Sequence, residues 1–373
     1  MPRRRYRRYL IALLPAVLFG FERLEAQYPV QTYAMISRGG RLHWSTPRGL
    51  IVFDNKEPDS YFDVYTMLPN GSGKVCLTCG KPPSQSHAGN PEWHPFGNSI
   101  VFQAHNASLP FLPVERQPLA HLMTSPGWGT NNNLWLMTSD GTQFWQLTSI
   151  AAGMGTLHPH FDAAGSRLLW SEKIGLVGLA EQWTLKMANL VWGGGSPQLV
   201  GTSAIQPLGV DIFYEAHGFS PDGRRIVFSA GAPAQSAMDL YTYELSTGTL
   251  QNLTNTPAEW DEHAQFTPDG SQIVWASNRN IAKVRDYFVP YLDYWIMNAD
   301  GSNQQRLTYF NDPAAPEYYS TGLAAADFSF GRTVWSLVSK FELTISNPTP
   351  VRMDAVAVIQ LKPGSVAKSS PSN

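Results

Sequence analysis

Charge is in short supply in this chain. Of 373 residues, 15% are Asp, Glu, Lys or Arg, against 12% aromatic, and the formal sum is −2. No basic face that follows a phosphate backbone can be assembled from such a balance, which excludes nucleic acid as a partner. Cysteine is scarcer still, with Cys76 and Cys79 the whole supply. A disulfide-knit scaffold is therefore excluded, and a lone C-x-x-C without a second pair is not a zinc site. The longest apolar run, Tyr9 to Phe21, has 13 residues, short of the about 20 that span a bilayer. The chain has no Gly-x-Ser-x-Gly turn of a serine hydrolase and no Gly-rich phosphate loop.

What the chain has in plenty is punctuation, 31 Gly and 28 Pro. They are spaced regularly. An aromatic residue follows an aromatic residue nine positions later at Trp44/Phe53, Trp93/Phe102, Phe161/Trp170, Phe219/Phe228 and Phe266/Trp275, with Gly49, Gly97, Gly165, Gly223 and Gly270 between them. Phe219-Ser-Pro-Asp-Gly-Arg-Arg-Ile-Val-Phe228 is the clearest copy. Pro221 presets φ, Asp222 bonds its own backbone and Gly223 closes a tight turn between two strands. A sixth, shortened copy is read at Phe328–Trp335. After each hairpin come a strand such as Leu240–Tyr243, a polar turn such as Ala299-Asp-Gly301, and a closing strand ending in Leu-Thr, as at Arg306-Leu-Thr308. Units of four antiparallel strands, 47 to 68 residues apart, cannot bury both faces alone. Radial stacking buries them, so the fold class predicted is all-β, a six-bladed β-propeller of four-stranded antiparallel blades.

Residues 1–26 have a basic start, the short apolar run and a Leu-Glu-Ala close, the layout of a signal peptide. The expected division is a signal peptide at 1–26, a propeller at 27–361 and a disordered tail at 362–373. That predicts a periplasmic or secreted protein with no membrane attachment after cleavage. Beyond the leader, 21 basic residues face 27 acidic ones, a mildly acidic balance that is neutral about partners. A monomer is one reading, and the sequence leaves the oligomeric state open. The apolar segment Ala355–Ile359 is expected to pair with an N-terminal strand and close the ring, since open edges invite aggregation.

The strand order places the short turns on one face and the B–C loops and D–A links, counting strands A to D from the axis, on the other. The long excursions fall there: His105–Asn133, Lys173–Gln182, Gly231–Met238 and Asn278–Asp293. Eight of nine histidines follow them. Loops on a rigid scaffold carry function, so this rim is the expected binding face. The ligand-binding candidates at the channel mouth are His87, Glu215, Asp261, Glu262, Gln265, Arg279 and Arg285. His158 and His160, two apart, are expected to project to one side of an extended chain. With His217 and His263 they form the metal candidates, an N/O set suited to Zn, Mn or Fe. The other reading is that each imidazole serves neighbouring backbone and channel water; either no cofactor or a divalent metal ion fits. Trp128, Trp260, Tyr287, Tyr291 and Tyr318 are read either as sugar-stacking platforms or as packing. For Cys76 and Cys79 a local disulfide is read, with free thiols the alternative.

The Leu-Thr close and the Ser-Pro-Asp-Gly hairpin resemble the TolB-like, WD40-like propeller repeat family over about residues 40–340. Fewer than about twenty residues separate the leader from the first copy, too few for the α/β domain that true TolB carries. The resemblance implies an exported, non-catalytic binding or scaffold module for a protein or glycan partner. Some lyases of pectic oligosaccharides are propellers with a channel metal on His and Gln, and His158, His160, His217, His263 and Gln265 are similar in type. Arg279 and Arg285 would then face a uronate carboxylate. That resemblance implies the alternative, a metal-dependent carbohydrate lyase or hydrolase.

Overall fold

Each copy of the repeat folds as the hairpin its spacing predicts, and with one register. The first aromatic pairs with the residue seven positions on: Trp44 with Ile51, Trp93 with Ile100, Phe161 with Leu168, Phe219 with Ile226 and Phe266 with Ile273. In the sixth copy the pair is Phe330 with Leu337. That copy is therefore full length and anchored on Phe330, two residues beyond the aromatic its sequence suggested. The turns close tightly, Ser220 N donating to Arg225 O at 2.8 Å and Gly331 N to Ser336 O at 2.7 Å. Gly165 shows why glycine is needed here. Its φ is +67°, and a Cβ would meet His94 Nε2 at 2.0 Å.

The protein was analysed as a computed structural model. It describes residues 28–56, 61–81, 86–106, 108, 117–177, 180–232, 237–281, 290–331, 333, 335–347 and 349–363. The expected leader lies outside these residues, as does the tail beyond Pro363. Strand β1 (Val30–Arg38) comes first in the chain. Blade 1 follows as β2 (Leu42–Ser45), β3 (Leu50–Lys56), β4 (Phe62–Met67) and β5 (Val75–Cys76). Blade 2 is β6 (Ala88–Trp93), β7 (Ser99–His105), β8 (Asn132–Thr138) and β9 (Phe144–Gln146). Blade 3 is β10 (Gly155–Phe161), β11 (Arg167–Val177), β12 (Ala180–Gly193) and β13 (Ser196–Ile205). Blade 4 is β14 (Phe213–Phe219), β15 (Arg225–Gly231), β16 (Asp239–Glu244) and β17 (Leu250–Asn252). Blade 5 is β18 (Asp261–Phe266), β19 (Gln272–Ser277), β20 (Asp293–Asn298) and β21 (Gln305–Arg306). Blade 6 is β22 (Leu323–Phe330), β23 (Ser336–Asn347) and β24 (Thr349–Leu361), completed by β1. The six sheets are thus six four-stranded antiparallel blades, and the ring is closed as expected. β1 pairs with β24 from Val30↔Leu361 to Arg38↔Ala355.

The core lies between blades. Val52, Val64 and Leu77 of blade 1 pack on Ala88, Trp93, Ile100 and Phe102 of blade 2. Leu42, Trp44, Ile51 and Phe53 pack on Val338 and Val356 across the closing joint. Two expected excursions gain regular structure. Helix α1 (Gln117–Met123) lies within His105–Asn133. Lys173–Gln182, expected as a loop, lies in a lengthened hairpin whose ladder runs from Arg167↔Asn189 to Val177↔Ala180.

Five of the six innermost strands carry a register shift: Gly89/Glu92, Leu157/His160, Ala216/Gly218, Glu262/Gln265 and Ala325/Phe328. Bulges bend a strand and re-aim a side chain. In three blades the bulged residue takes the left-handed region, at Asn90 (φ 51°), His158 (φ 50°) and His263 (φ 51°). Non-glycine residues hold that conformation only where their surroundings impose it.

Candidate site in the central channel

The bulges build the site. Three residues before the hairpin aromatic stand Arg41, Asn90, His158, His263 and Asp327. In blade 4 the shift falls one residue later, so His217 takes the corresponding place instead of Ala216. All six line one cavity on the axis. One residue before the aromatic stand His43, Glu92, His160 and Gln265, which line the same cavity. Each blade therefore contributes a polar side chain to the axis.

These groups are paired across blade joints. Glu92 accepts from His160 Nδ1 at 2.6 Å and from Phe161 N at 2.7 Å, and His160 Nε2 donates to Ala216 O at 3.2 Å. Burial opposes ionisation of both partners, yet the pairing prevails: His160 is held above and Glu92 below its ordinary value. His158 Nε2 lies 3.0 Å from Glu215, and Asp327 lies 3.2 Å from His263 Nδ1 and 3.8 Å from His158 Nδ1. Glu262 stands 3.3 Å from His263 Nε2. Burial works against charge here too, but Glu262 and Asp327 hold His263 well above the usual imidazole range. Asp327 is held well below the carboxylate range against its own burial by His263, His158 and Arg41. His217 is the exception, since burial pushes it down to about 3. Its Nε2 lies 2.6 Å from Ser229 Oγ.

The mouth is covered over part of its rim. Pro126 O accepts from Asn90 Nδ2 at 3.2 Å and from Gln103 Nε2 at 3.0 Å, so the segment after α1 sits on the ring. The cavity left below is about 40 Å³. That is room for an ion and a few waters.

Of the residues singled out in the sequence, His158, His160, His217, His263 and Gln265 line this cavity. Glu215 and Glu262 touch its histidines. His158 and His160 both reach it, but the bulge between them gives them separate partners instead of one shared side. Three candidates are elsewhere. His87 packs among Tyr61, Phe62 and His121. Asp261 is buried, accepting from Trp275 Nε1 at 2.8 Å and Thr256 Oγ1 at 2.6 Å. Arg279 pairs with Glu259 at 2.6 Å and lies over the Trp295 ring. Arg285 and Tyr287 fall outside the described residues. Trp260 packs against the core of blades 5 and 6, and Tyr291 donates to Thr321 O at 3.2 Å, whereas Trp128 is 37% exposed. Cys76 and Cys79 are bonded to each other. Asn90 and Glu92 lie in a stretch expected at the channel mouth but were not singled out, and Arg41, His43 and Asp327 were not anticipated. Counting three residues back from every hairpin aromatic, or one, finds them.

No protein-family model matches the chain. Dipeptidyl-peptidase 5 of Porphyromonas gingivalis is 21% identical over 230 residues, 58% of this chain and 33% of that protein. The chain spans a third or less of the length of the curated relatives it matches. Among solved structures, TolB from Acinetobacter baumannii superposes with a TM-score of 0.54 at 13% identity, over 84% of this chain and 64% of that one. A puromycin-hydrolyzing peptidase of Mycobacterium tuberculosis gives 0.52 at 12% identity, over 91% and 47%. At these identities the likeness is one of fold, and the fold is that of the TolB-type six-bladed β-propeller.

Proposed function

We propose that this chain is an exported, non-catalytic binding propeller that holds a protein partner on its excursion-bearing rim. The observation that carries the reading is the filled axis. A cavity of about 40 Å³ does not admit a sugar ring, since ligand sites run to several hundred Å³. The alternative, a carbohydrate lyase or hydrolase working at the channel, meets that obstacle. Two of its candidate stacking platforms are also engaged, Trp260 against the core and Tyr291 in a backbone hydrogen bond. A partner too large for the axis is left to the rim, where Leu119, Leu122 and Trp128 around α1 are exposed. An exposed Trp is a common anchor of protein interfaces, and exposed apolar side chains beside it extend the contact patch. Export is supported by the leader-like 1–26 segment and by the Cys76–Cys79 bond, which persists in oxidising compartments. Among the described residues no helix is long and apolar enough to cross a membrane.

The test is site-specific photo-crosslinking of the full chain in the envelope of its own host. A photoreactive residue at position 128, on the excursion rim, gives a discrete protein adduct. The same residue at exposed position 96, in a hairpin turn on the opposite face, does not. Equal adducts from both positions, or turnover of an oligosaccharide by the purified protein, overturns the reading.

A further inference from the structure

We propose that the partner held on the rim lays an extended segment along the outer edge of β13, with an apolar side chain in the groove between blades 2 and 3. This rests on the partner-binding reading and names a contact that the partner makes. In four blades the outermost strand is short: β5 and β21 have two residues, β9 and β17 three. In blade 3, β13 has ten. It pairs with β12 on one side and ends the sheet on the other. The other long outer strand is β1, and there Gly71 of blade 1 packs against the Ile36 carbonyl. Natural sheets blunt an open edge by shortening it or charging it. Residues 196–205, Ser-Pro-Gln-Leu-Val-Gly-Thr-Ser-Ala-Ile, carry no charge, and residues 200–204 are all exposed.

The register says which amides the edge offers. Gly194 and Gly195, both at positive φ, form a two-residue turn, so Gly193 and Ser196 are a hydrogen-bonded pair. Along β12, Val191, Asn189 and Met187 then bond β13, and the residues opposite those between them turn their N–H outward. These are Leu199, opposite Leu190, and Ala204, opposite Lys186. Beside them lies a cavity of about 430 Å³, lined by Leu147, Ile150, Met154, Ile174, Leu199 and Thr202. Its charges are matched already. Glu172 accepts from Trp170 Nε1 at 2.9 Å with Lys186 at 3.7 Å, and Lys173 pairs with Glu181. The space therefore suits an apolar side chain. An added strand gains affinity from main-chain bonds and specificity from a pocket that takes alternate side chains. A second copy of β13 would bring Leu199, Thr202 and Ala204 to this face, too little bulk for such a cavity. The cavity also adjoins the rim read above as the binding face. Met154 O accepts from Asn131 N at 2.6 Å, and Asn131 follows Trp128 by three residues.

The experiment adds a second photoreactive position, 203, to the full chain in its own host. Ser203 is exposed and opposite Met187, on the blade 4 side, so the probe leaves the cavity free. The expected result is an adduct at 203 with the same protein that position 128 captures. Ala204→Pro removes an outward N–H and spares the β12 ladder. It should lower the yield at 203 about 5-fold, the effect of one backbone hydrogen bond. Ala204→Ser, which keeps the N–H, should not. Ile174 is 41% exposed, so Ile174→Lys charges the cavity without disturbing the core. It should lower the yield too, and it serves if Ala204→Pro does not fold. An adduct at 128 without one at 203 overturns this proposal and leaves the rim reading standing. A yield unchanged in both folded variants, or an adduct at 203 that is a second copy of this chain, also overturns it. Adducts at neither position remove the rim reading and this proposal together.

Discussion

Glu92 of blade 2 and His160 of blade 3 meet at 2.6 Å, and the same carboxylate takes the backbone N–H of Phe161 at 2.7 Å. One side chain thus holds both the ring and the main chain of the neighbouring innermost strand. Glu92→Gln keeps the volume and removes the charge, leaving His160 buried with a weaker partner. Breaking a buried pair from one side costs about 3 to 5 kcal/mol. A loss near the lower figure is expected in denaturant unfolding, because the amide still accepts from Phe161 N. The double variant Glu92→Gln/His160→Gln should recover part of it. A single-variant loss below about 0.5 kcal/mol would put this pair with the surface contacts that contribute little.

The architecture could be read from the chain because aromatics and glycines sit where a tight hairpin requires them, and that requirement repeats. The site was legible only in part. His158, His160, His217 and His263 drew attention as histidines, but Asp327 passed unseen because no histidine marks the sixth copy. Anchoring on Phe328 puts Asp327 immediately before the aromatic, while the register with Leu337 makes Phe330 the anchor. His217 reaches the axis only because the bulge in β14 falls between Ala216 and Gly218, and no local pattern announces where a bulge will fall. Asp261 sits two residues from His263 and Arg279 just past the end of the next strand, yet their partners Trp275 and Glu259 hold them outside the cavity.

Asp327 is therefore the sharpest test of the ring. It is a carboxylate beside two histidines from different blades, at 3.2 Å from His263 and 3.8 Å from His158. Asp327→Asn keeps the volume and removes one of the two carboxylates that hold His263 above its ordinary value. A loss of about 3 kcal/mol, the lower end of the range for breaking a buried pair because Glu262 remains, is expected at neutral pH, with a lowered NMR titration midpoint for His263. An unchanged His263 midpoint would show that Glu262 alone holds its charge.

Ring closure makes a different prediction. β1 covers the outer edge of β24 and buries Val30 against blades 5 and 6. Deleting residues 28–38 uncovers a strand of 13 residues rich in Val, Ala and Ile. Uncapped edges of that kind pair between molecules. The truncated chain should sediment as aggregate under conditions where the parent chain is dispersed. A monodisperse truncated chain with the parent's Tm would mean that the hairpin of β23 and β24 closes the blade without β1.

His87 predicts the response to acid. Its Nδ1 accepts from Phe62 N at 3.3 Å and its Nε2–H donates to His121 O at 3.0 Å, an arrangement that requires the neutral ring. Burial, then the neighbouring His121 and His105, pushes its pKa down to about 3. The unfolded chain takes up this proton near the ordinary value of 6.5, and the folded chain does not until about 3. Stability from this group is therefore complete above pH 6.5 and drains away as pH falls below it. Between pH 7 and pH 5 the linkage amounts to about 2 kcal/mol. His87→Gln can keep both hydrogen bonds without a titrating group. His43, His94, His105 and His217 are lowered too and contribute the same sign, whereas the raised His160 and His263 contribute the opposite one, so the measure is the difference in slope. The parent chain should lose about 2 kcal/mol more than His87→Gln between those two pH values, and parallel curves would mean that the proton is accommodated in the fold.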